Sequence, residues 1–161
     1  MKKTIGRMLT LSILLTLSFI ASAYAAGSSC VVTSTKLALM DYAPTATYDV
    51  TVTCVADDTD GSFPELDITN VGGTLVNVKY YPDGTTAPSA GMNLSIQLGE
   101  TGIELLGEDG TDLVATADAI LSPKNTSGDI YPASFEGDIK LVATGNSVND
   151  AGFTAILAFW K

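Results

Sequence analysis

Histidine is absent from all 161 residues, and tryptophan occurs once. Without imidazole, a Ser-His-Asp triad, a Cys-His pair and the common zinc sites are all excluded together. Cysteine occurs only at Cys30 and Cys54, too far apart for a redox pair, and no glycine-rich phosphate loop with its lysine is present. Cations are also scarce: eight Lys and Arg stand against 18 Asp and Glu, a formal charge of −10. That balance opposes binding to nucleic acid or to an anionic membrane surface, because no basic patch is available to meet phosphate. Paired carboxylates, as in a glycosidase, remain open in principle, since 18 acids are available. Nearly all the acids fall in turn segments or on polar strand positions, the ordinary place for solvated charge. The reading is therefore of a protein that is not an enzyme and needs no cofactor.

What the chain does have begins with an export signal. Lys2, Lys3 and Arg7 precede an apolar run from Leu9 to Ile20, and Ala23-Tyr24-Ala25 places small residues at the two positions a signal peptidase inspects. The run is short for a membrane helix and leads into a cleavage pattern rather than a stop-transfer one. Cleavage before Ala26 leaves residues 26–161 as one domain, large enough for a single core. It also removes three cations and no acid, taking the charge from −10 to −13. In an oxidising compartment, Cys30 and Cys54 are expected to form a disulfide, with a free buried pair as the alternative. A loop of that length contributes roughly 3–4 kcal/mol in the chain-entropy treatment.

Along residues 26–161 the pattern is that of short strands. Tyr48, Val50, Val52 and Cys54 alternate with Asp49, Thr51 and Thr53, the signature of a half-buried strand. In the segment before it, Cys30 and Val32 share one parity while Leu37 and Leu39 share the other, which predicts a bulge or break near residues 33–36. Leu66-Asp67-Ile68 is a short strand, and Val76, Val78 and Tyr80 are expected to share a face. Met92, Leu94, Ile96 and Leu98 alternate with Asn93, Ser95 and Gln97, and Glu136 to Thr144 reads as a strand through Ile139, Leu141 and Ala143. Glu108-Asp109-Gly110-Thr111 predicts a hairpin-like turn, residues 112–121 are open between helix and strand, and residues 122–132 form a loop. Asp57-Asp58-Thr59-Asp60-Gly61 lacks the spacing and helical flanks of a calcium loop and reads as a solvated turn. The apolar run from Phe153 to Trp160 is either a central sandwich strand or one that needs something laid beside it. Seven to nine strands punctuated by turns give an all-β sandwich.

Two pieces also carry a resemblance. Cys30 with Leu37-Ala38-Leu39-Met40-Asp41-Tyr42-Ala43-Pro44, followed by Tyr48-Asp49-Val50-Thr51-Val52-Thr53-Cys54, resembles the start of a spore coat protein U-like domain. That group includes the subunits of archaic chaperone–usher pili. Gly137-Asp138-Ile139-Lys140-Leu141-Val142-Ala143 and the segment Ala151 to Lys161 are similar to the closing strands of fimbrial subunits, with Trp160 where those commonly carry a penultimate tyrosine.

The resemblance implies an immunoglobulin-like β-sandwich that lacks its last strand. A periplasmic chaperone fills the groove until another fibre subunit supplies the strand at an outer-membrane usher, so that the protein ends in a fimbria at the cell surface. Phe153, Ala155, Leu157, Phe159 and Trp160 would then form a groove wall and subunit interface. One feature departs from the family pattern. Only Ala26 to Ser29 precede Cys30 after cleavage, too little for a donor arm. Either the cleavage or the role is atypical, with a tip or minor subunit as an alternative to the repeating one, or the segment Val31 to Met40 contributes. The competing expectation is a self-complete secreted binding or adhesion module, meeting a host or surface ligand through aromatics such as Tyr42, Tyr81 and Tyr131.

Overall fold

Alternation decides the architecture. Val50, Val52 and Cys54 are buried while Thr51 and Thr53 between them are only half-buried, so this strand has one face in a core. The computed structural model describes residues 27–39, 46–99, 101–125 and 127–160. The proposed signal segment and Tyr42 lie outside those residues. Nine strands are present among them: β1 (Ser29–Leu39), β2 (Ala46–Val55), β3 (Leu66–Ile68), β4 (Gly73–Pro82), β5 (Asn93–Leu98), β6 (Ala119–Leu121), β7 (Ala133–Phe135), β8 (Ile139–Thr144) and β9 (Gly152–Trp160).

Two antiparallel sheets pack face to face and do not close into a barrel. The larger runs β1-β2-β9-β4-β6, with β7 also paired to β4, and the smaller runs β3-β8-β5. The larger sheet contributes Val50, Val52, Leu75, Val78, Tyr80, Phe153, Ala155, Leu157 and Phe159 to the core; the smaller contributes Ile68, Leu94, Ile96, Ile139, Leu141 and Ala143. No polar or charged residue is buried among the described residues. The protein is thus an all-β sandwich with one disulfide, Cys30–Cys54.

The strand that is apolar on both faces, β9, sits in the middle of the larger sheet, bonded to β2 on one side and β4 on the other. Its inner residues lie in the core, and Ile156 and Ala158 on the other face are half-covered by neighbouring strands. At one end of the core Tyr48 stacks on Phe159, with ring centroids 4.9 Å apart, and its hydroxyl donates to the Val71 carbonyl. At the other end Phe63 meets Phe153 edge-on at 5.0 Å.

Both long strands that start a hairpin or crossover carry an irregularity. In β1 the register shifts between Val32 and Ser34, where the parity of the apolar residues changes. In β4 it shifts between Leu75 and Asn77, so Leu75 joins Val78 and Tyr80 in the core and Val76 is left half-buried at the bulge. The expectation that Val76 shares the inner face is corrected accordingly. Residues Gly107–Gly110 form a 3₁₀ turn rather than a hairpin turn. Within the ambiguous segment 112–121, only Ala119–Leu121 is regular, and it is a strand. Gly110 is required by contact: a Cβ there would stand 1.9 Å from the Leu94 carbonyl oxygen.

Candidate interaction surface

The first strand is where the sandwich departs from closure. Antiparallel pairing sets Cys30 opposite Cys54, Val32 opposite Val52 and Thr35 opposite Val50, so all three β1 positions belong to the inner face. The disulfide joins the first of these pairs, with Cα atoms 4.1 Å apart. Yet Val32 is 42% exposed and Thr35 is exposed as well, while Val52 and Val50 are buried. The cause is the unequal number of strands. The smaller sheet offers three strands to a larger sheet of six, and β3, only three residues long, approaches β1 from across the sandwich. That approach leaves Val32 and Thr35 exposed on the inner face.

The outer side of this hairpin is apolar too, with Val31 and Val55 exposed. Among the described residues β1 pairs only with β2, and no strand lies along its second backbone edge. Unpaired N–H and C=O groups beside exposed apolar side chains form a template for another strand, with main-chain bonds to hold it and side-chain pockets to read it.

The residues expected to wall a groove occupy two different settings. Phe153, Ala155, Leu157 and Phe159 project into the filled core from β9, whose two edges are both bonded. Trp160 ends the same strand on the opposite face and is 48% exposed. It stands over an open hollow of about 820 Å³ whose lining also includes Asn70, Ser134 and Glu136. Tyr81 and Tyr131 are exposed on β4 and on the loop before β7, and neither lines that hollow.

Several carboxylates are held by structural partners. Asp57 accepts from the backbone N–H groups of Thr59 and Asp60, at 2.8 and 3.3 Å, which closes the acidic turn. The Ser62 hydroxyl and N–H hold Asp60 below the usual carboxylate range, and the N–H groups of Thr85 and Thr86 do the same for Asp83. Asp109 is lowered chiefly by Lys124, with which it forms an ion pair. Burial pushes the Tyr80 phenol up to about 12. No group of three or more His, Cys, Asp or Glu is arranged to hold a metal ion among the described residues.

Sequence reasoning located the cysteines and the parity change in β1. It did not find that Val32 is uncovered, since no local pattern reports how many strands lie opposite. Nor did it find the hollow under Trp160, whose walls come from three separate parts of the chain. Comparison with protein families and with curated protein sequences returns no match to this chain.

Proposed function

We propose that this protein is an exported structural subunit of a surface fibre whose sandwich is completed by a strand from another subunit. The observation that carries this reading is the exposure of Val32 and Thr35 at inner-face positions of an edge strand, opposite the buried Val52 and Val50. A strand laid along β1 would bond its second edge and cover those side chains. The same act would bury Val31 if the donor carried an apolar partner for the outer face. In this reading the partners are a periplasmic chaperone, an outer-membrane usher and neighbouring subunits, and the protein has no catalytic role. The signal-like segment at residues 1–25 and the charge of −13 that follows its removal support an extracellular destination.

A specific observation also favours a second reading. The core is well filled, β9 is bonded on both sides, and Leu75, Leu157 and Phe159 are all fully buried. A sandwich so packed supports a self-complete secreted binding module that needs no donor.

The two readings separate in surface extracts of producing cells run unheated in detergent and probed for this protein. A ladder at regular multiples of the monomer mass is the outcome expected of a strand-linked fibre subunit. A single monomer band, from cells without fibres in electron micrographs, overturns that reading in favour of the self-complete domain.

A further inference from the structure

The hollow beneath Trp160 is built by chain segments that meet only in the fold. Asn70 follows β3, Thr74 lies in β4, Ser134 in β7 and Glu136 just after it, and Trp160 ends β9. Two crossovers are tied together at its base: the Asn70 N–H donates to the Asp138 carboxylate at 2.8 Å. Gly72, Gly73 and Gly137 are among its lining residues. A Cβ on Gly73 would stand 2.6 Å from the Trp160 carbonyl oxygen, and Gly137 adopts φ of 102°, a conformation that favours glycine. A second hollow of about 370 Å³ continues from the first across Glu136 and Gly137 towards Gly99 and Thr101. Together they make a trough rather than a pit.

From these features we infer that the trough is a binding site for a neutral oligosaccharide, with Trp160 as its stacking platform. The half-exposed indole presents an apolar face of the kind that covers the C–H face of a pyranose ring. Around it stand groups suited to hydroxyls. The Asn70 amide both donates and accepts, and the Glu136 carboxylate accepts. The Thr74 and Ser134 hydroxyls, 2.8 Å apart, retain further acceptor positions and one free proton between them. The first hollow alone falls within the range of about 300–1,000 Å³ typical of small-ligand sites, and its extension suits several sugar units in line.

Charge selects the class of sugar. Glu136 and Asp138 both line the trough, so a uronate or sialylated glycan would meet like charge there. Strand addition by a peptide is disfavoured at the base of the trough. Thr74 of β4 pairs with Ser134 on one side and Trp160 on the other, and Trp160 also pairs with Thr47. Neither long strand offers a free edge there. This site is independent of the second edge of β1 and of fibre assembly.

Trp160 is the sole tryptophan, so its emission reports the trough directly. The experiment titrates the purified protein with linear tetrasaccharides of glucose, galactose and mannose, alongside oligogalacturonate and a proline-rich peptide. The expected result is a saturable change in emission with at least one neutral tetrasaccharide, stronger than with its monosaccharide. Asn70→Gly, which keeps the left-handed backbone at φ of 60°, and Ser134→Ala should each weaken that binding by about threefold or more. Both variants are checked for unchanged thermal unfolding, and Ile120→Ser, outside the trough, should bind like the parent. The inference is overturned by no response to any neutral tetrasaccharide at several millimolar. An equal or stronger response to oligogalacturonate or the peptide overturns it too, as does binding that both trough variants leave unchanged.

Discussion

Val32 and Val52 face each other across the β1–β2 ladder, on the same side of one sheet, yet one is 42% exposed and the other fully buried. Neighbours in register normally share their environment, so the contrast marks the line at which the smaller sheet stops covering the larger. The pair also supplies a direct test. Val52→Ala should lower the stability of the isolated protein by about 2 kcal/mol, from lost apolar burial and the cavity left behind. Val32→Ser should cost the isolated protein under about 0.5 kcal/mol and yet weaken any detergent-resistant ladder. Urea midpoints at constant m-value measure the first effect, and unheated gels the second.

The disulfide closes a sequence separation of 24 residues between Cys30 and Cys54. In the double variant Cys30→Ser, Cys54→Ser, the unfolding free energy should fall by roughly 3–4 kcal/mol, because the unfolded chain regains the freedom the bridge removes. Denaturant unfolding with and without reductant checks this, and the double variant should be insensitive to the reductant.

Glycines at two turns should respond differently to alanine. At Gly110 the new methyl would collide with the rigid Leu94 backbone, whereas at Gly128 nothing lies within 4 Å and only the φ of 83° is unfavourable. Gly110→Ala should therefore destabilise by about 3 kcal/mol or more, and Gly128→Ala by about 1 kcal/mol. Thermal unfolding of the two variants side by side gives the ranking.

Stability should be nearly level between about pH 5 and 8, since no histidine titrates there. Asp60, Asp83 and Asp109 have folded pKa values below their ordinary one. Their contributions are present above the unfolded value of about 3.9 and are lost as pH falls through the lower folded values. Lys140 is raised by its Glu65 partner, and Tyr80 is raised to about 12 by burial. Those contributions are present below the unfolded values of about 10 and are lost as pH rises through the folded ones. Thermal midpoints across the pH range should trace a plateau with an acid and an alkaline shoulder; a step near pH 6.5 would contradict this account.

How much was legible in the chain follows from how local each cause is. The alternation of Tyr48 to Cys54 and of Phe153 to Phe159 marks inner faces directly, because side-chain direction repeats every two residues. The clash of parity between Val32 and Leu37 likewise announces a bulge within one strand. In β4, Leu75 and Val76 are both apolar, so nothing in that segment says which of them turns inward; the register with β9 decides it. Ala133–Phe135 is too short to stand out and is a strand because β4 offers it an edge. The uncovered Val32 and the Trp160 trough are more remote still. One depends on how many strands lie across the sandwich, the other on two crossovers pinned together by Asp138.

The central position of β9 has a kinetic meaning. It is the latest of the nine strands in chain order, yet it joins the β1–β2 hairpin to β4 and its neighbours. Until β9 inserts, the larger sheet exists only as two unconnected parts, and the chain between the end of β2 at Val55 and the start of β9 at Gly152, about 96 residues, must close on itself before they join. Folding is therefore governed by a late, long-range event, and the unjoined halves expose apolar strand edges for as long as that event is delayed. A helper that held β9's slot open, or that shortened its search, would act on the step that joins the two parts of the larger sheet.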